Sequence, residues 1–272
     1  MDDFSDELAV ALELARSASD IGMSSFGGAV ARERKADGSW VTEVDQAIEA
    51  HLRAGIAAAF PEHNILGEEE GLKAASGGAA VPGAPTWVVD PIDGTNNYMT
   101  GIPVWAVLIA LRVDGVSVLG IAHAPALGET YEATLGGGAR FNGTRAHVSR
   151  AGWDAATVGF SNWEGLVAHG LKRGFDNIAD RAWRVRGFGD FWGHMLVARG
   201  AAHLMVEPEL SLWDVAALEP IVSEAGGRLT GLDGAPWQSG GCLTTNGALH
   251  DDALALLRGT GGTIGGSEPS VS

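Results

Sequence analysis

Cysteine is almost absent: Cys242 is the one cysteine in 272 residues. An internal disulfide is thereby excluded, as is a zinc or iron–sulfur site built on several thiolates. Basic residues are also scarce, with 18 Lys and Arg against 34 Asp and Glu and a formal net charge of −16. A nucleic-acid backbone and an anionic lipid surface both call for a basic face, so neither partner is expected. No apolar run reaches the roughly 18 residues that a membrane-spanning helix needs. The opening residues Met1-Asp2-Asp3-Phe4 are acidic and lack the basic stretch of a secretory signal, which predicts a cytoplasmic location. The eight histidines show no HExxH or comparable metal-ligand spacing. Internal repeats and long low-complexity segments are missing too.

What remains is a chain with 46% hydrophobic residues, long enough for one large domain or two packed halves. Residues 5–26 read as an amphipathic helix with Leu8, Leu12, Ala15 and Ile21 on one face. A second helix is predicted over 43–59 from the spacing of Val44, Ile48, Leu52 and Ile56, with Pro61 beyond its end. The stretch 73–85, rich in Gly, Ala and Pro, reads as an exposed loop. A strand at Trp87-Val88-Val89 closes on Asp90. Strands over 104–112 and 116–123 pair through Asp114-Gly115, and a second hairpin is expected at Asn142-Gly143. From about residue 150 the rhythm changes. Helices near 164–172, 191–199 and 215–225 alternate with strands at 183–186, 203–206, 228–230 and 243–245. A last helix over 251–258 precedes a Gly/Ser-rich tail, 259–272, expected to be disordered. The chain thus divides into an α+β half, 1–150, and an α/β half, 151–258.

Three acidic stations carry chemical information: Gly67-Glu68-Glu69-Glu70-Gly71, Asp90-Pro91-Ile92-Asp93-Gly94-Thr95 and Trp213-Asp214. Asp90 closes an apolar strand, where an unpaired carboxylate is costly. A tight turn fixed by Pro91 would aim Asp90 and Asp93 at one spot, with the Ile92 carbonyl as a further oxygen ligand. Gly94 permits close approach to the backbone, and a helix starting near Thr95 would offer free N–H groups to a phosphate. Hard oxygen donors suit Mg²⁺, Mn²⁺ or Ca²⁺. Two such ions ~3.5–4 Å apart could hold the attacking and leaving oxygens of a phosphoryl transfer. Taken singly, each station also fits a plainer role. Asp90 and Asp93 suit a turn, Glu68–Glu70 a solvated loop, and Asp214 a helix cap. Asp45, three residues after Thr42, fits a capping box.

In combination, GEEEG at 67–71, WVVDPIDGTNNY at 87–98 and LWDVAALEPIVSEAGGRLT at 212–230 resemble the inositol monophosphatase family of metal-dependent, lithium-sensitive phosphatases. The likeness runs from the first helix to about Leu257. It implies a layered αβαβα sandwich of the inositol monophosphatase and fructose-1,6-bisphosphatase type, mixing α+β and α/β halves, with the metal site between them. It implies that Glu68, Asp90, the Ile92 carbonyl, Asp93 and Asp214 bind two or three Mg²⁺, with Asp90 bridging. Mn²⁺ would substitute, while Li⁺ and Ca²⁺ would inhibit. Glu69 would contribute through a water. Asp45 and Thr95 would orient and activate the attacking water, with Glu68 and Lys35 completing the catalytic set. Substrate would contact Ile92, Asp93, Gly94, Thr95 and Asp214, the Gly94 and Thr95 backbone holding phosphate. No covalent phosphoenzyme is implied. Family members are commonly homodimers acting on small phosphorylated metabolites, and the same is expected here.

Within that family the chain is most similar to the histidinol-phosphate phosphatases. The likeness rests on Gly101-Ile102-Pro103-Val104-Trp105-Ala106, on residues 183–191 from Trp183 to Phe191, and on Glu207-Pro208. Histidinol phosphate carries an amine and an imidazole that titrates near neutral pH. A carboxylate from Asp190 or Glu207 would complement that charge, and Arg184 matches an arginine that contacts substrate. Asp190 also fits a helix cap and Glu207 a loop end. Inositol monophosphate and sugar phosphates, including fructose 1,6-bisphosphate, stand as alternatives. The 3′-phosphoadenosine phosphate phosphatases fit less well, because their Lys-Glu-Phe after the DGT motif is here Asn96-Asn97-Tyr98. A catalytically silent ligand-binding member would have lost ligands, and here the set is intact.

Overall fold

The computed structural model describes residues 4–28, 30–35 and 40–259. The tail expected to be disordered lies, except for Gly259, outside the described residues. Helix α1, Ser5–Ser25, leads to a small hairpin of β1, Arg32–Arg34, and β2, Trp40–Thr42, and then to α2, Glu43–Ala59. Thr42 caps α2: its hydroxyl accepts from the Asp45 N–H, and the Asp45 carboxylate accepts from the Thr42 N–H. Next come β3 (Asn64–Gly67), β4 (Gly71–Ala74), β5 (Thr86–Asp93), α3 (Thr95–Thr100), β6 (Ala106–Val113), β7 (Val116–Ala124), β8 (Glu129–Thr134), β9 (Gly138–Phe141) and β10 (Thr144–Arg145).

Strands β3–β10 form an eight-stranded sheet in the order β10-β9-β8-β7-β6-β5-β3-β4, antiparallel except where β3 meets β5. Both expected hairpins are present, and their turn residues take the positive φ that such tight turns demand: Asp114 +50°, Gly115 +80°, Asn142 +48° and Gly143 +75°. Both faces of β6 are buried, which is why its sequence is apolar without alternation. Val107, Ile109 and Leu111 pack with Ile48, Leu52 and Ile56 of α2. Ala106, Leu108 and Ala110 face the opposite side. Each fully buried Ile or Leu side chain contributes roughly 1.5–3 kcal/mol.

The rest of the chain is β11 (Thr157–Phe160), α4 (Trp163–Ala168), α5 (Lys172–Arg181), β12 (Arg184–Gly187), α6 (Asp190–Ala198), β13 (Leu204–Leu210), α7 (Leu212–Val215), α8 (Leu218–Glu224), β14 (Arg228–Gly231), β15 (Gly240–Thr245) and α9 (His250–Leu257). Its five strands run β12-β11-β13-β15-β14. Helices α6 and α8 lie between the two sheets, α1 and α2 cover the outer face of the larger one, and α4, α5 and α9 cover the smaller. The result is the αβαβα sandwich. Alanines line the face of the larger sheet toward α6 and α8 (Ala106, Ala110, Ala122, Ala133), and at Gly120 an added Cβ would strike the Ala217 carbonyl. Small residues let the central helices sit close.

Three local expectations change. The helix expected over 164–172 is two helices, because Gly170 at φ +70° ends α4 and α5 starts afresh with Phe175 and Ile178 buried. The helix expected over 215–225 starts earlier and breaks into α7 and α8, since Pro220 has no N–H to give the Ala216 carbonyl. The strand expected to end at 206 continues to Leu210 through Pro208, where the ladder with β15 slips register between Glu207 and Leu210. No helix among the described residues is long and apolar enough to cross a membrane.

His250, fully buried, bridges Thr230 Oγ1 at 3.1 Å and Thr245 Oγ1 at 3.0 Å. Burial pushes its pKa down to about 4; Arg228 acts in the same direction and Asp251 against it. An unfolded histidine titrates near pH 6.5. The folded value is the lower, so this stabilisation is present above about pH 6.5 and lost as pH falls toward about 4, by at most ~1.4 kcal/mol per pH unit. In urea unfolding at pH 7 and pH 5, His250→Gln is expected to lose less stability between the two than the parent does.

Candidate active site

Strand β5 does not turn at Pro91. It continues to Asp93, and its pairing with β6 slips between Asp90 and Asp93, a bulge that accommodates the proline. The bulge does what a turn was expected to do: Asp90 and Asp93 offer carboxylate oxygens that lie with one from Asp214 within 4.8 Å of one another. Each carboxylate is steadied by a backbone N–H. Asp90 accepts from Ile92 at 3.0 Å, Asp93 from Phe191 at 2.7 Å, and Asp214 from Ser211 at 2.6 Å. The last bond completes a capping box on α7, so cap and cluster roles coexist in Asp214.

These three open into a cavity of about 230 Å³. It is lined also by Glu68, Ile92, Gly94, Thr95, Asn96, Asp190, Glu207, Glu209, Leu210 and Trp40. Gly94 sits at φ +87°, and an added Cβ would press on the Val104 carbonyl, so only glycine fits. Helix α3 begins at Thr95, and its first-turn N–H groups need partners outside the helix. Thr95 Oγ1 is 3.0 Å from the Ile92 carbonyl and 3.5 Å from Asp45 Oδ1. Asp45 is fully buried, and its other oxygen is taken by the Thr42 N–H and hydroxyl. Asp45 therefore serves the cap and faces Thr95 at once.

Lys35 Nζ donates to Glu68 and Glu69, each at 2.7 Å. Burial opposes its charge, but the two carboxylates outweigh burial and hold its pKa above the ordinary value. Burial also raises Glu69, to about 7. The backbone of this acidic turn hangs on Glu49, which accepts from the Glu69 N–H at 2.7 Å, the Glu70 N–H at 3.0 Å and Arg53 Nε at 2.8 Å. Glu49 was not foreseen. Its signal was a charged residue beside Ile48 on the buried stripe of α2.

Asp190 does not cap α6 with its side chain. It occupies the left-handed region at φ +55°, and its carboxylate accepts from Asn97 Nδ2 at 2.7 Å, while Asp93 caps the Phe191 N–H in its place. Asp tolerates this conformation better than most residues, at a cost of order 1–3 kcal/mol. Glu207 is not at a loop end. It is buried within β13 and faces the cavity. Arg184 is not brought to the cavity. It stands opposite Thr157 at the start of β12, donates to Thr157 Oγ1 at 3.1 Å and stacks over Trp183, whereas the site lies at the other end of these parallel strands. Glu209, Trp40, Asn96 and Leu210 are lining residues that the sequence motifs did not identify.

Burial is the leading cause that pushes the carboxyl groups up: Asp90 and Asp93 well above their ordinary value, Asp214 to about 7, Asp190 to about 6 and Glu207 to about 8. Mutual repulsion adds to this; Glu68, for example, acts on Asp90 and Asp214. Seven carboxylates and no Lys, Arg or His line the cavity among the described residues. Buried like charges of this density persist ionised when a cation joins them. The donors are all oxygen, which fits a hard divalent ion.

The inositol monophosphatase family model matches residues 3–260. A histidinol-phosphatase of Mycobacterium tuberculosis is 42% identical over 260 residues, covering 93% of this chain and 98% of that protein. Another, of Streptomyces coelicolor, is 42% identical over 270 residues, covering 94% and 98%. Among solved structures, an IMPase from Thermotoga maritima superposes with a TM-score of 0.83 at 30% identity, covering 94% of this chain and 98% of that one.

Thermal unfolding tests the cation requirement directly. Mg²⁺ at about 100 times its Kd is expected to stabilise the protein by ~2.7 kcal/mol, about 5–10 °C in Tm. Asp90→Asn removes one of the repelling charges. It is expected to melt higher than the parent without metal and to lose most of the Mg²⁺-induced rise.

Proposed function

The chain belongs to the inositol monophosphatase family, and on that premise we propose that it hydrolyses histidinol phosphate to histidinol and inorganic phosphate. One observation supports the substrate above the others: beyond the Asp90–Asp93–Asp214 cluster, the same cavity presents Asp190, Glu207 and Glu209. A leaving group with an amine and an imidazole gives these carboxylates a cation to bind. Inositol, which offers only hydroxyls, does not.

Asp90, Asp93, Asp214, Glu68 and the Ile92 carbonyl are the groups that would hold two or three Mg²⁺, most of them from the first half of the chain. Ions bound there supply positive charge for the phosphoryl oxygens and lower the pKa of water. The backbone N–H groups of Gly94 and Thr95 bind a phosphate oxygen. The attacking water hydrogen-bonds to Thr95 Oγ1. As it attacks in line, its proton passes to Thr95 Oγ1 and the threonine proton passes to Asp45 Oδ1, the oxygen left free by Thr42. Burial raises the Asp45 pKa, which makes it the better proton acceptor. Lys35 pairs with Glu68 and Glu69 and sets the orientation of that turn. Asp190, held by Asn97, meets the leaving group from the second half.

The test compares kcat/KM for histidinol phosphate and inositol 1-phosphate by phosphate release in Mg²⁺. A preference of ~100-fold or more for the former is expected, about 2.7 kcal/mol of differential transition-state binding. A reverse or absent preference would sink the assignment and return the enzyme to inositol or sugar phosphates. Asp190→Asn keeps the left-handed backbone and removes the charge. It is expected to cost the cationic ester about 10–100-fold and to leave inositol phosphate within a few-fold. Thr95→Ala is expected to lower kcat on either ester by about 10²–10⁴, with KM little changed.

A further inference from the structure

Behind the leaving-group side of the cavity, two buried polar atoms face each other and bind nothing else. His194 on α6 is 1% exposed and Glu207 on β13 is 6% exposed. Among the described residues, neither His194 Nε2 nor Glu207 Oε2 has a hydrogen-bond partner. They stand 3.9 Å apart, about 1 Å beyond hydrogen-bond length. A buried polar atom without a partner costs roughly 1–3 kcal/mol, so two aimed at one another call for a reason.

His194 Nδ1 is 2.8 Å from Thr244 Oγ1. Thr244 Oγ1 accepts from His194 when the ring proton is on Nδ1. The imidazole lone pair is then on Nε2, toward Glu207. The charged or titratable groups around the pair are Asp190 on α6, Asp214 on α7, Glu209 on β13 and Cys242 on β15. No cation faces the pair among these groups. Burial drives His194 down to about 4, and burial followed by the nearby aspartates drives Glu207 up to about 8. At neutral pH a carboxylic acid therefore confronts a neutral imidazole.

We propose that His194 is a positioning residue for Glu207: when a cationic leaving group enters, the proton on Glu207 Oε2 passes to His194 Nε2, and the carboxylate so formed binds the cation. The O–H bond breaks as the N–H bond forms, the pair stays neutral overall, and no proton is exchanged with solvent. A movement of Glu207 of about 1 Å closes the gap to hydrogen-bond length. The role rests on the substrate class proposed above. It gives the site a carboxylate that ionises when a cation arrives, and so a means of telling a cationic ester from a neutral one.

His194→Gln retains an N–H for Thr244 but cannot take the proton. With the Mg²⁺ enzyme, kcat and KM are measured from pH 6 to 9 for histidinol phosphate and inositol 1-phosphate. The parent-to-variant ratio cancels the substrate's own titration. For histidinol phosphate, KM at pH 7 is expected to rise about tenfold, the worth of one pKa unit. The penalty should shrink toward pH 9, where solvent takes the Glu207 proton, and kcat should hold within a few-fold. Inositol phosphate should be unaffected at any pH. An equal loss on both esters at every pH would show a structural role and overturn the proposal, as would no change on either. A parent that prefers neither ester overturns the substrate assignment, and this role with it; a parent that prefers the cationic ester, with an unaltered variant, overturns this role alone. Should the variant not fold, the ¹⁵N signal of the His194 imidazole in the parent decides. It is expected to become that of a doubly protonated ring on saturation with Mg²⁺ and histidinol. A ring that stays singly protonated overturns the proposal.

Discussion

Repulsion among buried carboxylates governs this structure. Asp90, Asp93 and Asp214 present oxygens within 4.8 Å of one another, in a cavity whose described lining contains no basic side chain. The fold holds them there through backbone N–H groups of Ile92, Phe191 and Ser211, which orient each carboxylate without cancelling its charge. Such donors stabilise one anion at a time. The shared field is left to a cation from solution.

The same arrangement appears on both sides of the cavity. In the larger sheet, β5 carries Asp90-Pro91-Ile92-Asp93 across a register slip. In the smaller sheet, β13 carries Glu207-Pro208-Glu209-Leu210 across another. Proline removes a ladder hydrogen bond, so each strand bulges at its C-terminal end and turns acidic side chains into the space between the sheets. In the proposed function, one bulge would hold the metals and the phosphate, and the other would meet the leaving group.

Helix α6 connects the two. Its N-terminus donates the Phe191 N–H to the Asp93 carboxylate and places Asp190 against Asn97. Further along, Trp192 and Arg199 donate to Glu129 of β8 at 3.0 and 2.8 Å, and Tyr131 adds a third bond to that carboxylate at 2.8 Å. His194 lies on the same helix, toward β13. One helix, fixed to the larger sheet, thus touches both groups of carboxylates.

Much of this was legible in the chain. Periodic apolar residues set the limits of α2, and Asp114-Gly115 and Asn142-Gly143 mark their hairpins because only residues tolerant of positive φ fit there. Asp90, Asp93, Thr95 and Asp214 could be picked out since costly residues were repeated in short, distinctive strings. Tertiary structure decided the rest. It extended β13 through Pro208 and buried Glu207, which local rules read as a loop end, because pairing with β15 outweighs the loss at one proline. It left Arg184 at the far end of β12, a matter of strand direction that no motif encodes. It brought Glu49 under the acidic turn, Asp93 onto α6 and His194 opposite Glu207. Sequence spacing specifies what neighbouring residues do along a helix or a turn. Contacts between residues 20 or 98 positions apart, such as Glu49 with Glu69 and Asp93 with Phe191, exist only once the sheets and helices have packed.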